Sequence, residues 1–159
     1  MAYERKNLDS LNTLLADRLE FIDRFGPPDA LSRCYTYLAR QALNDDMPHE
    51  AERLLEHAQR LAVSRGWQRP QALLLAEQAR VRLQRANYPG AEQLQRQLEQ
   101  LAAHATIDAE NPCQRAIAQH AIVSRSRLLL AFGLTAEFQP NSDSNGTDND
   151  CANRKHEET

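Results

Sequence analysis

Between Pro28 and Gly66, apolar residues recur at spacings of three and four. Leu31, Tyr35, Leu38, Ala39, Ala42 and Leu43 share one stripe, and Ala51, Leu54, Leu55, Ala58, Leu61 and Ala62 share another. Such spacing places side chains on one face of an α-helix. The stretch Asn44-Asp45-Asp46-Met47-Pro48 separates the two stripes, and Gly66 ends the second. The segment therefore reads as two helices joined by a short turn. Shifting the frame by forty residues repeats it: Leu54, Leu55 and Gly66 correspond to Leu14, Leu15 and Gly26, and Ala51-Glu52-Arg53-Leu54 corresponds to Ala91-Glu92-Gln93-Leu94.

The rest of the chain falls into the same frame. Tyr3 to Phe25 predicts a helix with Leu8, Leu11, Leu14, Leu15, Leu19, Ile22 and Phe25 on its apolar side. Gly26 is expected to stop it in a left-handed conformation, with Pro27-Pro28 barring continuation. Pro28 and Asp29 suit a first turn, Asp46 is the expected N-cap of the next helix, and Asn87 that of a helix from Tyr88 to about His104. Between them, Trp67 to Ala86 carries Leu75, Ala79, Leu83 and Ala86 on its core side. After a loop from Thr106 to Glu110, Asn111-Pro112-Cys113-Gln114 has the form of a capping box. The helix it opens is expected to reach Phe132, with Gly133 as a turn into another helix at Ala136-Glu137.

Period and pattern predict an all-α protein: antiparallel helix pairs stacked as a right-handed, tetratricopeptide-like α-α superhelix over residues 1–138. Ala39 with Ala51, and Ala79 with Ala91, stand where paired helices would cross closely. Residues 139–159 are rich in Asn, Asp and Ser and read as a disordered polar tail.

Composition sharpens this picture. The 159 residues are 42% hydrophobic and 26% charged, with 6% aromatics and five glycines. Helix formers dominate and no strand alternation occurs. Residues 139–159 hold five acids and two bases, a difference of three that equals the whole net charge of −3. The helical body is neutral, which argues against a general electrostatic grip on nucleic acid. No secretory leader and no membrane-spanning run is read, and three widely spaced cysteines form no disulfide framework. These features predict a reducing cytoplasm.

One series of residues resembles a known family. It comprises Tyr3-Glu4, Leu8, Leu14-Leu15, Gly26-Pro27-Pro28-Asp29-Ala30, Tyr37-Leu38-Ala39-Arg40, Ala51-Glu52-Arg53-Leu54-Leu55 and Arg65-Gly66-Trp67-Gln68-Arg69. Ala76-Glu77-Gln78-Ala79-Arg80-Val81-Arg82-Leu83, Leu128-Leu129-Leu130-Ala131-Phe132-Gly133 and Ala136-Glu137 extend it. Over roughly residues 3–138 the chain resembles the tetratricopeptide-like sensor region of the large ATP-binding LuxR-type bacterial transcriptional regulators, the class of the maltose regulator. The resemblance implies a domain that receives an inducer or an inhibitory protein. In that family an ATPase precedes the repeats and a helix-turn-helix DNA reader follows. Neither a Gly-rich loop ending in Lys-Ser/Thr nor a recognition helix occurs in this chain, so DNA contact is expected only through a domain absent from it.

Candidate chemistry is sparse. The five histidines form no metal-binding pattern, and Ser124 and Ser126 lie inside a helix without a nucleophile elbow. Asn145-Gly146-Thr147 is a formal sequon in the polar tail. No catalysis, cofactor or metal is expected. Trp67 reads as a wedge between repeats or as a binding-surface aromatic. Tyr35 belongs to the core and Tyr37 to the exposed side, where Tyr37 joins the candidate ligand- or peptide-binding residues of the concave face. Arg40 and Arg80, forty apart, and Arg125, equivalent if Ala136-Glu137 sets the register, would form a ladder on the concave face. They either pair with nearby acids or capture an anionic ligand. Val123 and Leu130, on the second apolar side of the last helix, are candidates for self-association. The expected function is a non-catalytic effector- or protein-binding repeat domain of a LuxR-type regulator. The alternative is a stand-alone repeat adaptor between proteins.

Overall fold

The computed structural model of the chain describes residues 14, 18–105 and 111–137. The predicted start of the first helix, the predicted loop from Thr106 to Glu110, Phe138 and the predicted polar tail at 139–159 lie outside the described residues. Among the described residues six helices follow one another: α1 (18–25), α2 (Pro28–Asn44), α3 (Pro48–Ser64), α4 (Gln68–Gln84), α5 (Tyr88–Ala105) and α6 (Pro112–Glu137). The described residues contain no strand. The protein is an all-α helical repeat.

The beginnings of the helices follow local chemistry. Proline occupies the first turns of α2 and α3, with Asp29 and Glu50 beside it where the helix dipole favours acids. Asn87 Oδ1 accepts the Gly90 N–H at 3.1 Å, and Asn111 Oδ1 accepts the Cys113 N–H at 2.9 Å. Both asparagines therefore cap as their positions predict. Asp46 does not. The N-cap of α3 is Met47, and Asp46 takes φ 58°.

The ends of the helices explain that difference. Three turns repeat one hydrogen-bond pattern. The N–H of Asp46, Gly66 and Ala86 bonds back to Leu43, Val63 and Leu83, and the N–H of Met47, Trp67 and Asn87 bonds back to Ala42, Ala62 and Arg82. This is the Schellman closure, which needs a left-handed residue at its second last step. Gly66 supplies it at φ 67°, and Ala86 is held there at φ 54°. Asp46 is thus used to finish α2, which leaves it unable to start α3. Gly26 ends α1 differently. It bonds to the Ile22 carbonyl at 2.9 Å without a left-handed backbone, and a Cβ there would lie 2.5 Å from that carbonyl oxygen. Only glycine fits because of the close approach. At Ala86 a left-handed alanine costs about 1 kcal/mol or more. Ala86→Gly is therefore expected to raise stability by about 0.5–1 kcal/mol in chemical denaturation, less the entropy glycine adds to the unfolded chain.

The last helix overturns one expectation. Gly133 does not turn the chain, and α6 runs unbroken to Glu137. A glycine inside a helix costs only about 1 kcal/mol relative to alanine. At Gly66 the chain turns because Trp67 can fold back against the core. The equivalence of Arg125 with Arg40 and Arg80, which needed a turn at Gly133, falls with it.

Packing divides the helices into layers. α2 packs on α3 and more lightly on α4, and α4 packs on α3, α5 and α6. α6 packs on α4 and α5. Thus α2, α4 and α6 make one layer, with α3 and α5 behind it. Ala39, Ala51, Ala79 and Ala91 are all buried, as close helix crossings require. Two core clusters result. The first unites Leu31, Tyr35, Leu55 and Ala58 with Leu74 and Val81 of α4, and the second unites Ala72, Leu75 and Ala76 of α4 with Leu98, Ile117 and Ala121. α4 is the wall they share. α1 seals the first cluster with Leu19 and Ile22. Its Asp23 accepts the Tyr35 hydroxyl at 2.8 Å, meets His57 Nε2 at 2.8 Å and offers its carbonyl to Arg65.

Candidate functional site: a groove across α2, α4 and α6

The α2/α4/α6 layer presents a groove of about 510 Å³, lined by Arg40 of α2, by Leu73, Ala76 and Glu77 of α4, and by α6 from Gln119 to Arg127. A smaller recess of about 170 Å³ adjoins it, with Asp29, Ser32 and Arg33 of α2, Arg69 and Leu73 of α4, and His120 shared between the two. Helical periodicity explains this assembly. Arg33 and Arg40, Arg69, Leu73, Ala76 and Arg80, and His120, Val123 and Arg127 recur at spacings that keep each set on one helix face.

The centre of the groove is a carboxylate that the sequence did not single out. Glu77 is 4% exposed, on the most buried of the described helices. Arg40 Nη2 donates to its Oε1 at 2.7 Å, and Arg80 Nε donates to its Oε2 at 2.9 Å. Burial alone would raise the Glu77 pKa. Hydrogen bonds and positive charge from Arg40 and Arg80 more than offset that, and hold the carboxyl below its ordinary value of 4.5. An acid inside the apolar run Leu73 to Ala79 was the available signal. A charge among core positions survives only when it is paired.

The predicted ladder is absent. Arg40 and Arg80 converge on one carboxylate, while Arg125 reaches sideways to Glu99 of α5 at 3.5 Å, with two thirds of its side chain in solvent. Tyr37 is half-buried, with its hydroxyl oxygen shielded from solvent, where an exposed ring was expected. Tyr35 is core. Trp67 caps α4 and packs at the edge of the first cluster, and the Arg65 guanidinium lies 4.8 Å from its ring centre. Val123 forms part of the groove wall, and Leu130 lies two turns further along α6, exposed.

His120 faces this groove half-buried. Burial, with Arg69 and Arg127 nearby, pushes its pKa below the ordinary 6.5, against the pull of Glu77. The imidazole is therefore neutral near pH 7. Around it the wall is apolar: Ile122 is 66% exposed and Val123 49%. Among the described residues, no cluster of His, Cys, Asp and Glu is arranged to hold a metal ion, and no helix is long and apolar enough to cross a membrane.

No family model matches the chain, and no curated protein or solved structure matches it.

Proposed function

We propose that this chain is a non-catalytic binding domain. It receives an effector or a regulatory protein on its α2/α4/α6 face, as the repeat region of a cytoplasmic LuxR-type transcriptional regulator. The observation that carries the binding role is the open groove, with aliphatic side chains left in solvent beside a fixed Arg40–Glu77–Arg80 cluster. The regulator assignment is supported by the residue series around Arg65-Gly66-Trp67. In such a regulator, contact with DNA would belong to another domain.

A thermal-shift screen of small metabolites tests the binding role. A ligand at a hundred times its Kd adds about 2.7 kcal/mol to stability, a shift of several degrees. Ile122→Glu places a carboxylate in the groove wall without touching the core. It is expected to abolish the shift given by any genuine hit. Hits that survive the substitution would move the binding site elsewhere.

Self-association is a separate property of the far end of α6, where Leu129 and Leu130 are 59% and 68% exposed. Light scattering at high concentration is expected to show a dimer that Leu130→Glu converts to monomer. A monomeric wild type would remove that surface from the account.

A further inference from the structure

The groove and its adjoining recess hold an excess of positive charge. Arg33, Arg40, Arg69 and Arg127 line them, and Arg80 adjoins them through Glu77, against two carboxylates, Asp29 and Glu77. Arg69 pairs with Asp29 at 3.5 Å, and Arg40 and Arg80 share Glu77. Among the described residues, no carboxylate pairs with Arg33 or Arg127. After pairing, the face keeps about three positive charges, although the helical body as a whole is neutral.

We propose that this groove binds an acidic segment of another protein, one carrying aliphatic side chains between its carboxylates. This rests on the α2/α4/α6 face being the binding face, and names what it binds. Two features of the site ask for both halves of that chemistry. Ile122 and Val123, exposed beside Leu73, offer apolar contact, and solvated aliphatic side chains gain by being covered. The guanidiniums ask for carboxylates. Arg40 spends two N–H groups on Glu77 and keeps three for a partner, with 54% of its side chain in solvent. Glu77 holds that guanidinium in place, so less side-chain freedom is lost when a partner arrives. The chain's own residues 139–159 carry acids but almost no aliphatic side chains. They could meet the charge of the groove and not its walls.

The probe is a fluorescein-labelled peptide of about sixteen residues, in which Leu recurs every three or four positions among Glu and Asp, as in helix-in-groove recognition. One companion replaces every acid with Lys, and another replaces every Leu with Ser. Fluorescence anisotropy with the full chain is expected to show the acidic, Leu-bearing peptide binding at least about tenfold tighter than either companion, and weakening as salt rises. Arg127→Glu and Ile122→Glu should each reduce its affinity by about tenfold or more. Arg60→Glu makes the same charge change on the exposed side of α3 and should leave affinity unchanged.

Absence of binding overturns the proposal, as does binding that neither groove substitution alters. Equal binding of acidic and basic peptides, both lost in Ile122→Glu, overturns the acidic partner while leaving the groove as the binding face. If Asp143, Asp148 and Asp150, changed together to Asn, raise peptide affinity tenfold, the chain's own tail occupies the groove and the proposal fails. A dimer dissociated by Ile122→Glu, rather than by Leu130→Glu, puts a second copy there and overturns it equally.

Discussion

Glu77→Ala is expected to destabilise the protein by about 2–4 kcal/mol, the range for removing one member of a buried, charge-assisted cluster. The substitution leaves Arg80, with only 23% of its side chain exposed, without a counter-charge. It also severs the polar tie from α4 to Arg40 of α2, between two helices that touch each other only lightly. Arg40→Ala should cost far less, about 1 kcal/mol or below, because that side chain is half in solvent and its charge is screened. Acid sensitivity provides a second readout. The folded-state pKa of Glu77 lies below 4.5, so its contribution is fully present above that value and lost as pH falls through the folded pKa. The His120 pKa is also depressed, so its contribution is complete above 6.5 and declines as pH falls through its folded value. Wild-type stability should therefore fall in two steps on acidification, and Glu77→Gln should shrink the lower one, to which Glu50, held down by Arg53, also contributes. Urea denaturation at pH 7, 5 and 3.5 measures both. An unaltered acid limb in Glu77→Gln would refute the assignment.

Leu98→Ala is expected to cost about 3–4 kcal/mol, toward the upper part of the range for buried leucines. Leu98 is fully buried, and its cluster includes Ala72, Ala76 and Ala121. Alanine methyls cannot extend into the space a missing isobutyl group leaves, so the cavity stays open. The melting temperature should fall by roughly 10 °C or more. The damage should also be local. Repeat stacks transmit stability mainly between neighbours. Hydrogen exchange should quicken in α5 and α6, while α2 and α3, which build the first cluster, keep their protection. Uniform loss across all helices would mean that α4 joins the clusters into a single cooperative unit.

Much of the architecture could be read from the sequence because a helix stripe and its stops are local. Pro28, Pro48, Gly66 and Asn87 mark boundaries through chemistry that acts within a few residues. Asp46 and Gly133 show where local reading gives way. An aspartate can cap one helix or finish another, and only the closure from Met47 back to Ala42 decides between them. Gly66 ends its helix where Trp67 folds back against the core, whereas α6 runs on through Gly133. The arginines were harder still. Periodicity placed Arg40 and Arg80 on equivalent faces. Their side chains are long enough to meet on Glu77, which takes Arg80 from its own helix and Arg40 from α2. Which charges neutralise one another is a tertiary fact, and so the excess on Arg33 and Arg127 was hidden as well.

Pro28, Pro48, Gln68 and Tyr88 begin their helices at a step of twenty residues. That step acts as a reading frame for changes in length. One residue inserted within a helix turns everything after it by about 100°, carrying buried positions into water. A duplicated block of twenty would put front-layer sequence in the back layer. A block of forty restores both, so the α2–α5 segment can lengthen or shorten by whole hairpins and by little else. Among the described helices, the passage from α5 to α6 is off the frame, with Pro112 following Tyr88 by twenty-four. At that junction an insertion or deletion has the best chance of being absorbed.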